Sequence, residues 1–275
     1  MLRVLVDSGS SIKFDEAKDY NVEIIPLKIM LGNKEYSDDG KELSMDKFYD
    51  YLKNEKEFPK TSLPNLATLE DKVNNYTNNG DDVIIITISS KISGTYNSIH
   101  LLFEDNKKVL VIDSLIAVGG LRFIVDLINK NRDKSLDEIK KLTDKLIPKL
   151  TVLAIPETLH YLQKGGRLSK TEWLLGSILQ IKPTIGFKDG KVKVVDKNRG
   201  IKKAQKSIID TIVSTGVDDN YDIIAAYTHN RANVDELVGM LPDELKKKVK
   251  IYDDLTPAIA AHWGPNAFGL VFVEK

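Results

Sequence analysis

A hydroxyl-rich string, Ser89-Ser90-Lys91-Ile92-Ser93-Gly94-Thr95, follows the apolar run Val83-Ile84-Ile85-Ile86-Thr87-Ile88 and leads into the helix-like stretch Tyr96 to Phe103. A strand that ends in such a loop and turns into a helix gathers hydroxyls and free backbone amides at one point, which suits a phosphate or a carboxylate. Ser93 supplies a hydroxyl donor, and Gly94 lets a ligand approach the main chain because it has no side chain. The commoner use of such a serine is to cap its own helix, and the spacing leaves both uses open. No Gly-x-x-x-x-Gly-Lys-Ser/Thr string surrounds the loop, and Lys91 stands where a nucleophile elbow has its first glycine, so the motifs imply neither a nucleotide nor a serine hydrolase.

A second pair of hydroxyls, Thr61-Ser62, precedes Pro64. Residues before proline avoid helical angles, so this segment is expected to be extended and to lay successive hydroxyls and amides along a ligand. Its alternative is helix initiation, with Asn65 capping Leu66 to Tyr76. Three cationic or titratable groups stand apart: Arg167 after Gly165-Gly166 at a helix end, Arg199 ahead of Lys202 and Lys203, and His262 between Pro257 and Pro265. Such arginines are more often solvated, and a lone histidine more often structural, than functional. With no Cys and four scattered His there is no metal-ligand spacing, and disulfides and thiolate chemistry are excluded.

The elements that position these groups alternate between strand and helix. Leu2 to Val6, Val22 to Ile29, Val83 to Ile88 and Val109 to Ile112 read as buried strands, and Met45 to Leu52, Leu66 to Tyr76, Tyr96 to Phe103 and Leu115 to Ile128 as helices between them. This predicts an α/β fold with a mostly parallel sheet. Leu136 to Leu150 reads as a charged amphipathic helix, after which Thr151 to Ile155 begins a new strand series, so two domains are expected at 1–150 and 151–275. In the second, Asp189-Gly190 is a two-residue hairpin signal between Thr184 to Lys188 and Lys191 to Asp196, and further strands are expected at Asp222 to Tyr227, Val249 to Tyr252 and Phe268 to Val273.

With 42% hydrophobic residues the 275-residue chain can bury a core, and its forty basic and forty acidic residues sum to zero formal charge. That balance argues against nucleic acid and against an anionic membrane surface as partners. Asp7 interrupts the opening apolar run too early for a signal peptide, so a cytoplasmic protein is expected. Leu255 to Val273 lacks formal charge, but Pro257, His262, Gly264, Pro265 and Asn266 break it, which favours a helix, a tight loop and a buried strand over a membrane span.

Several strings, in their order and spacing, resemble the DegV family: Val6-Asp7-Ser8, Ile25-Pro26-Leu27, Thr61-Ser62-Leu63-Pro64, Ser89 to Thr95, Gly165-Gly166-Arg167-Leu168-Ser169, Lys182-Pro183 and His262-Trp263-Gly264-Pro265. The resemblance covers nearly the whole chain. It implies a two-domain DegV-like fold, each domain a mostly parallel or mixed sheet with packed helices, and no catalytic turnover of its own. It further implies one bound long-chain fatty acid (palmitate-, stearate- or oleate-like), no other cofactor, and a carboxylate held at Thr61, Ser62, Ser93 and Gly94. Some members resemble the fatty-acid-binding subunit of the bacterial fatty acid kinase system, which implies presentation to a separate kinase. Arg167, Arg199 and His262 then become head-group or partner contacts. Ile29, Leu31, Leu115, Ile116, Val118 and Leu121 are candidates for the wall around the acyl chain, with Gly119 and Gly120 allowing close approach, and their plain alternative is ordinary core.

Two further functions stay in view beside the carrier. One is a serine-dependent acyl-transfer enzyme with Ser93 as nucleophile and His262 as base. The other is a regulatory module whose state follows lipid occupancy.

Overall fold

Near-continuous apolar runs make central parallel strands, because such strands are covered on both faces. The first half of the chain builds on them: β1 (Leu2–Asp7), β2 (Glu23–Ile25), β3 (Lys28–Leu31), β4 (Lys34–Ser37), β5 (Lys60–Ser62), β6 (Asp82–Thr87) and β7 (Val109–Asp113), with α1 (Met45–Asn54), α2 (Leu66–Asn78), α3 (Thr95–Phe103), α4 (Gly120–Asn129) and α5 (Leu136–Leu146). The computed structural model describes residues 1–54, 57–171 and 180–275. They fall into two compact units, Met1–Pro148 with Thr256–Ala258, and Lys149–Leu255 with Ile259–Lys275.

In the first unit β2, β1, β6 and β7 lie side by side, all parallel, and β4, β3 and β5 form a separate antiparallel sheet. Leu5, Ile25, Val83 and Ile85 pack against Leu69 and Val73 of α2 and Ile99 and Phe103 of α3. The second unit contains β8 (Leu150–Ile155), β9 (Ile181–Lys188), β10 (Lys191–Arg199), β11 (Ile223–Tyr227), β12 (Val249–Asp254) and β13 (Phe268–Val273) in one mixed sheet, order β10-β9-β8-β13-β11-β12. Helices α6 (His160–Lys164), α7 (Ile201–Thr215), α8 (Ala232–Gly239), α9 (Asp243–Lys246) and α10 (Pro257–Trp263) follow in chain order. Ala204, Ile208 and Ile212 of α7 and Val234 and Leu237 of α8 share a core with Ile223, Ala225, Leu270 and Phe272 of the sheet.

The structure corrects three expectations. Val22 to Ile29 is not one strand but two, β2 in the parallel sheet and β3 in the antiparallel one. Pro26 has no amide to give a ladder, and the amide of Leu27 goes to Ser8 Oγ at 3.1 Å, so pairing stops there. The helix expected from Leu115 begins only at Gly120, because Leu115 (φ 53°) and Val118 (φ 58°) are left-handed and Val118 donates its amide to the Gly9 carbonyl at 2.9 Å. The helix over Leu136 to Leu150 ends at Leu146, where a short 3-10 turn over Ile147–Lys149, containing Pro148, leads into β8. The hairpin turn has both central residues left-handed, Asp189 at φ 50° and Gly190 at φ 77°, as an Asp-Gly turn favours. Leu255 to Val273 forms α10, a turn at Gly264 (φ 76°) and β13, and no helix among the described residues is long and apolar enough to cross a membrane.

Candidate functional site

In the parallel sheet the chain leaves β1 toward β2 and leaves β6 toward β7, so the loops part above the β1–β6 junction. Open α/β sheets hold their ligands at such a switch point, beyond the carboxyl ends of the strands. The two loops there are Ser8–Ser11, wholly buried, and the hydroxyl loop that carries Ser93 and Gly94.

Nearly every amide of the hydroxyl loop is already used. Ile88 donates to Asp7 Oδ2 at 2.7 Å, Ser89 to the Ile116 carbonyl at 2.8 Å, Ser90 to Asp113 Oδ1 at 3.0 Å and Lys91 to Ser89 Oγ at 3.1 Å. Ile92 and Ser93 both donate to the Ser89 carbonyl at 3.1 Å, and Thr95 to Ser93 Oγ at 3.2 Å. The Gly94 amide has no acceptor among the described residues, and Gly94 is exposed at the start of α3. There the unpaired first-turn amides and the helix dipole favour an anion. Ser93 Oγ also lies 2.8 Å from Thr95 Oγ1. With Thr95 donating both its amide and its hydroxyl to Ser93, the Ser93 proton is left to point outward.

Thr61 and Ser62 lie on β5, an outer strand of the antiparallel sheet, opposite Ile29 and Lys28 of β3, with Thr61 half-buried and Ser62 exposed. A methyl group placed on Gly94 would stand 3.6 Å from Cδ2 of Leu63, so the residue that follows Thr61-Ser62 lies against Gly94. Of the proposed wall residues, Ile29, Leu31, Ile116, Val118 and Leu121 are buried and Leu115 is 37% exposed. A methyl on Gly120 would fall 2.7 Å from Ile116 Cγ2, so the packing there admits only glycine without a shift of that side chain.

Two buried carboxylates beneath the loops were not singled out from the sequence. Burial pushes Asp7 up to about 7 against the bonds from the Ile88 and Gly9 amides, and the nearby Asp38 charge pushes the same way. Asp38 is raised to about 6, again mainly by burial, although Ser8, the Thr256 hydroxyl at 3.0 Å and the Ala258 amide at 3.4 Å all bond its charged form. The available signal was positional: Asp7 and Asp113 each close an apolar run and each precede a serine.

In the second unit Arg167 and His262 come together at Gly165. Arg167 Nη1 donates to the Gly165 carbonyl at 2.5 Å, and a methyl on Gly165 would fall 2.2 Å from His262 Nδ1, so only glycine leaves room for the ring. Burial and then the Arg167 charge push His262 down to about 3, and the imidazole is neutral at physiological pH. Burial also lowers the Arg167 pKa. Arg199 is exposed at the end of β10, opposite Ile181, where its Nε donates to Gln180 Oε1 at 3.1 Å. No group of three or more His, Asp or Glu side chains arranged for a metal occurs among the described residues.

Comparison with known proteins places this geometry in a family. A DegV domain-containing protein of Caldanaerobacter subterraneus is 31% identical over 100% of this chain and 99% of its own length. A protein of Thermotoga maritima named as a fatty acid-binding protein is 28% identical over 100% of this chain and 98% of its own. The crystal structure of a fatty acid binding DegV family protein from Streptococcus agalactiae superposes with a TM-score of 0.89 at 28% identity, covering 100% of this chain and 99% of that one. The family model described as uncharacterised protein, DegV family, matches residues 1–275, and the chain belongs to the DegV family.

Proposed function

We propose that this protein is a cytoplasmic carrier that holds one long-chain fatty acid, palmitate-, stearate- or oleate-like, and offers its carboxylate to a separate kinase for conversion to acyl phosphate. The observation that carries this reading is the open Gly94 amide beside the Ser93 hydroxyl at the switch point. Together with Thr61 and Ser62, these groups bind a carboxylate through neutral donors. The head group then sets orientation and the tail sets affinity: each buried methylene contributes about 0.8 kcal/mol, so a sixteen-carbon chain in a dry site gains on the order of 10 kcal/mol. Full-length relatives named for fatty acid binding support the ligand class.

Arg167, Arg199 and His262 are assigned to head-group access or partner contact. A carrier is favoured over a serine-dependent acyl transferase because an imidazole pushed down to about 3 has little affinity for a serine proton. Native mass spectrometry of protein purified from a bacterial host is expected to show about one fatty acid per chain, since burial on this scale implies slow release. A lipid-free preparation that also fails to bind added palmitate or oleate rejects the carrier. Reconstitution of the loaded protein with a fatty acid kinase and ATP tests presentation: Arg199→Ala is expected to keep its lipid and slow acyl-phosphate formation.

A further inference from the structure

We propose that Asp113 is a positioning residue for the carboxylate site, holding the hydroxyl loop against the loop that follows β7. A single oxygen, Oδ1, accepts two amides, that of Ser90 at 3.0 Å and that of Leu115 at 3.1 Å. The first belongs to the loop carrying Ser93 and Gly94, the second to the turn leading to α4. The same two loops are joined by the Ser89 amide on the Ile116 carbonyl at 2.8 Å, and the Ser114 amide bonds the Thr87 carbonyl at 3.2 Å. Asp113 sits at the root of this seam.

The turn after β7 does not hold its shape by local preference. Leu115 and Val118 are in the left-handed region that bulky and β-branched residues avoid, and such conformations persist only where the surroundings over-determine them. Asp113 is one such determinant, because it takes the amide of Leu115 itself. On the other side of β6, β1 also ends in aspartate, and Asp7 takes the Ile88 amide at 2.7 Å and the Gly9 amide at 2.9 Å. Strand β6 thus leaves the sheet between two carboxylates that hold alternate amides of its exit. With those amides consumed, the Gly94 amide is left for an outside anion, and its direction depends on the seam behind it.

The inference rests on the fatty acid reading of the site, and its test separates the two. Both amides fall on one oxygen, so Asp113→Asn keeps both bonds through its carbonyl while Asp113→Ala removes both. Oleate affinity and amide hydrogen exchange over residues 89–95 and 114–118 are compared in the wild type and both variants. Asp113→Ala is expected to weaken oleate by about tenfold and to speed exchange in both loops, and Asp113→Asn to stay within about twofold of wild type. Should the alanine variant fail to fold, Asp113→Val, which suits a strand end and offers no acceptor to either amide, carries the same expectation. Wild-type affinity or wild-type exchange in the alanine or valine variant overturns the inference, as does an asparagine variant that behaves like alanine. If the wild type itself binds no fatty acid, the carrier reading fails, and the exchange measurement still decides whether Asp113 holds the two loops.

Discussion

A hydroxyl that accepts two bonds from one neighbour has only its proton left to offer, and Ser93 can adopt that state against Thr95. The N-cap of α3 is Gly94, which has no side chain to cap with, and Ser93, one residue earlier, takes the Thr95 amide; that bond and a ligand bond are compatible, and mutation separates them. Ser93→Ala is expected to lose a bond to a charged carboxylate, about 1.5 to 3 kcal/mol or roughly tenfold to a hundredfold in fatty acid affinity, and also about 1 kcal/mol of stability from the lost bond to the Thr95 amide. Thr61→Ala is expected to match the affinity loss without that loss of stability. Titration calorimetry beside urea unfolding reads both, and unchanged affinity in both variants places the head group elsewhere. The hydroxyls and Gly94 are legible in the sequence because they form dense strings in a loop. Asp7, Asp38 and Asp113 are not, since an aspartate closing an apolar run reads only as the end of a strand, and their roles depend on amides brought from distant loops.

At the level of elements, the start of α3 determines what the site offers. Gly94 has φ −77°, an angle open to any residue, and a methyl there would make ordinary contact with Leu63 at 3.6 Å. Glycine is thus not required by the backbone or by the packing of this helix start. Gly94→Ala is expected to change unfolding stability by less than about 1 kcal/mol while shielding the exposed amide and weakening the fatty acid severalfold. Wild-type affinity in this variant would remove the Gly94 amide from the site. Strands and helices with a clean period, such as β6, α2 and β13, follow from the sequence almost to the residue. The misread stretches are those where tertiary bonds override an apolar pattern. Ser8 takes the Leu27 amide and splits one run between two sheets, and the Gly9 and Ile116 carbonyls hold Leu115 to Val118 out of a helix that its side chains would otherwise continue.

For the molecule as a whole the formal charge is zero at pH 7 and grows positive as the carboxylates protonate on acidification, and on this shared background single substitutions isolate the titration of individual buried groups. Asp38 has an ordinary value of 3.8 and is raised to about 6 in the folded protein, so between those values the native state keeps a proton that the unfolded chain releases. Its contribution is complete below about pH 4 and is lost as pH rises to about 6. His262 has an ordinary value of 6.5 and is lowered to about 3, so there the unfolded chain holds the extra proton. Its contribution is complete above about pH 6.5 and is lost as pH falls toward 3. Asp7, raised to about 7, adds a slope of the same sign as Asp38, and the His262 slope opposes both, each up to about 1.4 kcal/mol per pH unit. Single substitutions expose them. Relative to wild type, Asp38→Asn is expected to gain stability as pH rises from about 4 to 6 and then level off, whereas His262→Gln is expected to lose relative stability from about pH 3 to 6.5 and then level off. Urea midpoints measured at unit steps from pH 4 to 8 give both difference curves, and two curves of the same sign would show that these groups do not titrate in the windows their burial assigns.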